Sequence, residues 1–313
     1  MAYFGELIAV FTACSWTFTA LFFEYASRRI GSLQLNLIRL IFGGLMLGFL
    51  LLLTSGHLFP FGADSRTWFW MALSGLVGFV FGDLCLYYSY TLIKARFSQL
   101  IMTLAPPLAA LFGFLLLDER TGRMGLVGMA ITLTGIAISI LKRSKRKNER
   151  GGLSLQLPIR GVLLALGGAL GQGFGIVLSK KGMTCYTECF GNQEFFGNYI
   201  PFAATQIRVI TGIISFSVII LLTGRKNKLW YAFHDRKGLF ATLGGSFFGP
   251  FLGVSLSLIA VRYTGSGIAS TIMATVPILI LVPHSIIHKQ WPKWIEVAGA
   301  ILCVIGVACF FWR

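Results

Sequence analysis

The chain is short of charge, and shortest of negative charge. Only 12% of its 313 residues are charged, and Asp and Glu number 11 against 27 Lys and Arg. A soluble domain carries charge on about a quarter of its residues, so water is not the main solvent of this fold. Four histidines are present, and His57, His234, His284 and His288 show no pair spacing or acid partner that suggests metal binding or catalysis. No glycine-rich loop leading into Lys-Ser/Thr occurs, so an ATP-driven pump of that kind is not supported. No nucleophile elbow or paired catalytic constellation occurs either, and neither enzyme activity nor a cofactor is expected. Cys14, Cys85, Cys303 and Cys309 lie in apolar runs as small buried hydrophobes. Cys185 and Cys189 fall in an expected loop, too sparse for zinc but open to a disulfide in an oxidising compartment.

Long apolar runs fill the space that charge leaves. The chain is 56% hydrophobic with a mean hydropathy of +0.77. A bilayer-spanning helix needs roughly 20 mostly apolar residues. Ten such segments occur, at 4–23, 35–54, 68–90, 98–117, 124–141, 159–178, 203–223, 238–260, 268–287 and 294–312. The fold class is therefore an all-α polytopic membrane protein with ten transmembrane helices. The first segment opens on Glu6 and exceeds a short signal-peptide core, so it reads as a retained helix. The net charge of +16 sits at the ends of apolar segments, where orientation signals lie. The run Lys142-Arg143-Ser144-Lys145-Arg146-Lys147 lacks the interleaved aromatics of a single-strand-binding surface. The lipid bilayer is the expected partner, and nucleic acid is not.

The basic stretch 142–150, followed by Gly151-Gly152, divides the segments five and five. This defines a first repeat at 1–141, a linker at 142–158 and a second repeat at 159–313. Arg39 and Gly43 superpose on Arg208 and Gly212, while Gly78, Gly82, Pro106, Gly128 and Gly135 fall on Gly249, Gly253, Pro277, Gly299 and Gly306. An insertion near 183–202 follows the sixth segment. Five is odd, so the second half enters the membrane in the opposite sense, a 5+5 inverted repeat of the kind secondary transporters use around a midplane site. Lys and Arg concentrate in loops after odd-numbered segments, which places the linker in the cytoplasm and both termini outside. Glycines every four residues (Gly167/Gly171/Gly175 and Gly245/Gly249/Gly253) and the similar Gly75/Gly78/Gly82 mark seams where helix backbones approach closely.

A guanidinium inside a hydrocarbon-length segment is expensive unless it faces a polar interior. Arg39 and Arg208 meet that cost at matched positions, Arg39 sharing a helical face with Asn36 and Gly43. Each could hold a carboxylate or phosphate through its planar fork, or pair with helix-end carbonyls or snorkel to the interface. Asp83 is the clearest intramembrane acid, followed on one face by Tyr87 and Tyr90; its repeat mate is Val254. It either faces the cavity, with proton carriage as a further role, or forms a salt bridge with Arg39. Trp16 and Gln172 occupy equivalent positions on polar or glycine-rich faces and are cavity candidates against ordinary helix packing. Pro106-Pro107, Pro277 and Pro250 interrupt their segments and suit gating. Glu119 belongs at an interface, and Glu24 and Glu194 read as loop residues.

Together these features resemble the EamA-type transporters of the drug/metabolite transporter superfamily. The marks are Arg39 and Arg208, Ala105-Pro106-Pro107 and Val276-Pro277, and Asp118-Glu119 followed by Gly128 and Gly135. The second half departs from the pattern, with His288-Lys289-Gln290 where the acidic turn would stand. The resemblance implies export or exchange of small metabolites, amino acids or related compounds, through a central cavity. It places helices one to four and six to nine around that path, with five and ten outside. It also implies cytoplasmic termini, opposite to the charge distribution. The expectation is a secondary transporter of the cell membrane, monomeric or homodimeric, lined by Trp16, Asn36, Arg39, Asp83, Tyr87, Gln172 and Arg208. A non-transporting scaffold or ligand sensor is the alternative, and it would bind without flux.

Overall fold

The computed structural model describes residues 4–117, 123–143, 153–155, 157–190, 199–254, 256–257, 260, 272–289 and 291–311. Asp118, Glu119, Glu194 and Gln290 lie outside them. Apolar composition and the scarcity of mid-segment breakers make helix the default state, and helices dominate. Long apolar helices α1 (Phe4–Ile30) and α2 (Ser32–Ser55) lead into α3 (Ser65–Gly75), a π-helical segment (Leu76–Gly82) and α4 (Asp83–Met102). Next come α5 (Ala105–Leu117) and α6 (Arg123–Ile140). The second half holds α7 (Ile159–Phe190), α8 (Ile200–Leu222), the short α9 (Lys226–His234), α10 (Arg236–Ser246) and a second π segment (Phe247–Gly253). It closes with α11 (Val276–Leu279), α12 (Leu281–His288) and α13 (Trp294–Phe311).

Among the described residues, five helical stretches are long and apolar enough to cross a membrane: Phe4–Ile30, Ser32–Ser55, Ser65–Met102, Ile159–Cys189 and Ile200–Leu222. Shorter apolar helices cover Ala105–Leu117, Val127–Ser139, Val276–His288 and Trp294–Cys309. Large apolar side chains such as Phe49, Leu53, Leu222 and Phe240 point outward, as suits a surface solvated by lipid.

The repeat extends to element boundaries. Asp64 caps α3 by accepting the Thr67 N–H at 2.8 Å, and its mate Asp235 caps α10 by accepting that of Gly238 at 3.3 Å. Both π segments occupy matched positions, immediately before Asp83 in one half and Val254 in the other. Packing between the halves is reciprocal. Helix α1 lies against α10 and the second π segment, while α7 lies against α3, α4 and the first. Helices α2 and α8 pack on one another, and so do α6 and α13.

Glycine permits the closest of these contacts. A Cβ on Gly171 would sit 2.5 Å from the Gly82 Cα, and one on Gly175 would sit 3.0 Å from that of Gly78. On the equivalent seam the Ser15 hydroxyl donates to the Phe248 carbonyl at 2.8 Å. Between α1, α2 and α4, Phe23, Leu35, Ile38, Tyr87 and Tyr90 form a buried apolar core.

Several expectations need correction. Helix α1 runs seven residues past the apolar run, so Glu24 is a buried helical residue rather than a loop residue. Helix α7 likewise continues through Cys185 and Cys189, which the loop reading had separated from it; both are free thiols, and Cys189 Sγ donates to the Cys185 carbonyl. Around the linker, Leu141–Arg143 and Leu153–Leu155 pair as short antiparallel strands beside an otherwise helical fold. The third and fourth apolar segments are joined as one helix broken at Lys94, whose φ of 67° is costly for a side-chain-bearing residue. Pro106 and Pro107 open α5 and Pro277 opens α11, while Pro250 lies inside the second π segment.

Overpacking a closed seam costs about 1–3 kcal/mol or more. Gly171→Leu therefore lowers the melting temperature of the purified protein in detergent; an unchanged value would show that α7 does not touch the first π segment.

Candidate substrate site

The π segments place the polar centre. A π turn holds one surplus residue, which rotates whatever follows, and such turns recur at functional sites. Here it delivers Phe79 and Asp83 towards α2 and α8. From α2, Arg39 forms an ion pair with Asp83, both almost fully buried. Arg39 also donates from Nε to the Asn36 Oδ1 at 3.0 Å, while Asn36 is anchored to the Ser32 carbonyl at 2.9 Å. From α7, Gln172 donates to the other Asp83 oxygen at 2.5 Å. Each carboxylate oxygen therefore has its own donor, which a buried charge requires.

Two guanidinium groups share the Phe79 ring. The Arg208 guanidinium lies 4.2 Å from the ring centroid and that of Arg39 lies 5.7 Å from it. Arg39 also stacks 5.0 Å from the Tyr87 ring, which contacts Phe23 edge-on at 5.1 Å. The Arg208 Nε is buried with no hydrogen-bond partner. The centre thus holds two cations against one carboxylate, and one donor is unspent.

The repeat positions both arginine backbones in the same way. A Cβ on Gly75 would meet the Arg208 carbonyl oxygen at 2.9 Å, and the mate of Gly75, Ser246, donates its hydroxyl to the Arg39 carbonyl at 3.4 Å. Gly43 faces Pro250, while Gly212 faces Phe79, the repeat mate of Pro250. The side chains depart from this symmetry because only the first half supplies an acid.

Asn36, Arg39, Asp83, Tyr87, Gln172 and Arg208 therefore come together. Trp16 does not join them. It packs with Ala9, Ala260 and Met273, its indole nitrogen close against Gly253. Phe79 was absent from the sequence reading; its mate is proline, so comparison of the repeats gave it no signal.

A cavity of about 1220 Å³ opens where α1 and α8 end and α2, α7 and α10 begin. Leu84, Tyr88 and Thr91 of α4 line it, as do Leu33 and Gln34 of α2. Leu84 is next to Asp83 in the chain, but Arg39, Asp83, Gln172 and Arg208 are not among the residues that line the cavity. Among the described residues its walls carry Arg29, Arg160, Arg225, Lys228, Arg236 and Lys237 against one acid, Asp235. Arg29 and Asp235 pair at the rim at 2.7 Å, tying α1 to α10. That bond holds the Asp235 carboxyl below the usual carboxylate range. The bridge is present at neutral pH and is lost as pH falls through the depressed value. Exposure keeps its contribution small.

The EamA-like transporter family matches residues 3–141 and 159–312, once per repeat. No curated protein matches the chain. A solved structure described only as the crystal structure of a protein is similar over 97% of this chain and 95% of its own, with a TM-score of 0.59 and 17% identity. At that identity the likeness is one of fold.

Removing one partner of a buried ion pair costs about 3–5 kcal/mol, because the other charge is left uncompensated. Asp83→Leu should destabilise the protein by that order in thermal or denaturant unfolding. Adding Arg39→Met to it should recover part of the loss; a double variant no more stable than the single one would show that the pair is not coupled.

Proposed function

Because the chain belongs to the EamA-like transporter family, an integral membrane family, we propose that it carries small carboxylate-bearing metabolites, amino acids or related compounds, across the cell membrane as a secondary transporter. The supporting observation is the unbalanced centre: the buried Arg39 and the half-buried Arg208 stand against one carboxylate, with an unpartnered Arg208 Nε, and a separate cavity nearby is walled by cations. A substrate carboxylate supplies the missing negative charge through the bidentate geometry that arginine favours. Asp83 would then face the substrate's ammonium group or exchange protons with it. Substrate bound at Arg208 competes for contacts that now hold α2, α4, α7 and α8 together, and this couples occupancy to rearrangement of the halves.

Ten spans, five per repeat in opposite senses, would let the halves rock about that centre. Pro106, Pro107, Pro250 and Pro277 lie at helix starts or in the second π segment, where backbone bonds are already irregular and bending costs least. The positive-inside rule would open the cationic cavity to the cytoplasm, where it concentrates anions and favours efflux.

In proteoliposomes, Arg208→Gln should reduce flux of the transported carboxylate at least tenfold while yield and melting temperature stay near those of the parent. Undiminished flux would remove Arg208 from the path, and saturable binding without flux would support a sensor instead. Arg160→Gln with Lys228→Gln should raise KM more than it lowers kcat, with an effect that shrinks at high salt, since screening acts over about 8–10 Å at physiological ionic strength.

A further inference from the structure

One group of ionisable side chains has no part in this reading. Glu24 of α1 is 2% exposed, and His284 of α12 is fully buried. His288 follows His284 by one turn, and their rings stack at a centroid distance of 4.1 Å and an interplanar angle of 16°. Both Nε2 atoms face the Glu24 carboxylate. His284 Nε2 lies 3.6 Å from one oxygen and His288 Nε2 lies 3.4 Å from the other. His284 and His288 stand one helical turn apart in the sequence, and the acid partner missing from their neighbourhood there comes from the other half of the chain.

Its hydrogen bonding is incomplete. Neither nitrogen of His284 has a hydrogen-bond partner, nor does the Glu24 Oε1. Buried polar atoms normally find partners, so the two orphan nitrogens of the fully buried His284 call for an explanation; the Glu24 Oε1 has only its ion pair with Arg28.

We propose that Glu24, His284 and His288 bind a divalent transition cation of the Zn²⁺, Co²⁺ or Ni²⁺ class, bridging the two repeats. Metal–nitrogen and metal–oxygen bonds of about 2.0–2.2 Å at tetrahedral angles put neighbouring ligand atoms about 3.4 Å apart. The two nitrogen–oxygen separations here are 3.4 and 3.6 Å. The outer contacts also fit. His288 Nδ1 lies 3.2 Å from the His284 carbonyl, which can only accept, so the proton sits on Nδ1 and the Nε2 lone pair faces the site. The Ala95 N–H, freed by the break at Lys94, donates to Glu24 at 2.9 Å and orients the carboxylate. Two imidazoles with one carboxylate favour this cation class over Mg²⁺ or Ca²⁺.

An entry path is present. Glu24 and His288 line a cavity of about 600 Å³, which leaves the fourth coordination position open to water. Arg28 is the nearest cation, 3.1 Å from Glu24, with a side chain 40% exposed and a second bond to the Tyr90 carbonyl at 3.0 Å. It can keep that bond when metal takes the carboxylate. The Arg96 charge is engaged by Glu296 at 3.4 Å.

The test uses the full chain, purified without chelators and with any polyhistidine tag removed, and titrated with Co²⁺ and Zn²⁺ alone. One ion per chain is expected, with the visible d–d bands of four-coordinate Co²⁺. Glu24→Gln and His288→Ala should each weaken Zn²⁺ binding by at least the ~100-fold at the upper end of outer-contact losses. His288→Cys should restore binding with a charge-transfer band, and His57→Ala should leave it unchanged. His288 is the partly exposed member, so its variants retain the fold. Equal Co²⁺ spectra for the parent and His288→Ala, or no stoichiometric ion in the parent, would overturn the proposal.

Discussion

Two guanidinium groups compete for one buried carboxylate, and the arrangement of the surrounding helices follows from that imbalance. Asp83 cannot leave Arg39 without stranding a charge in low dielectric, so α2 and α4 are held together. Gln172 brings α7 to the same carboxylate, and Arg208 brings α8 to the shared Phe79 ring. Four helices from both repeats thus converge on a point that apolar packing alone would not specify, since lipid tails offer no preference among apolar faces. The surplus positive charge is tolerable because the Phe79 and Tyr87 rings present their electron-rich faces to it.

The cationic cavity extends the same logic outward. In the proposed reading, its wall charges would gather anions at long range, whereas Arg39 and Arg208 would act at contact distance and discriminate by geometry. Capture and recognition would then fall to different residues at different depths. The rim bridge between Arg29 and Asp235 sits between these two zones, exposed enough to open at little cost.

Much of this was legible in the sequence because repetition writes the same constraint twice. Arg39 and Arg208, the glycine seams and the paired prolines all carry period or position; the arginines and the glycine seams lie at contacts between the halves, and the prolines at helix starts. Three features carried no such mark. A π turn differs from an α turn by one residue, and Leu76–Gly82 has no polar periodicity to betray the surplus. Glu24 follows the apolar run that ends the first segment, and hydropathy alone cannot distinguish a loop acid from a capped, buried one. His284 and His288 find their acid 260 or more residues away in the chain, beyond any local spacing rule. Cys185 and Cys189 misled for a related reason: loss of hydrophobicity marks the edge of the membrane, while α7 continues past it.

The two π segments have one more implication. A surplus residue turns the following chain by about 100° relative to an uninterrupted helix. In the first half that rotation aims Asp83 at α2. The second half keeps the identical irregularity at Phe247–Gly253 and aims Val254 by the same rotation. Both copies therefore carry the pointing device, and one of them carries the charge. A molecule built from two repeats thus has a one-sided electrostatic centre, however alike the scaffolds that carry it.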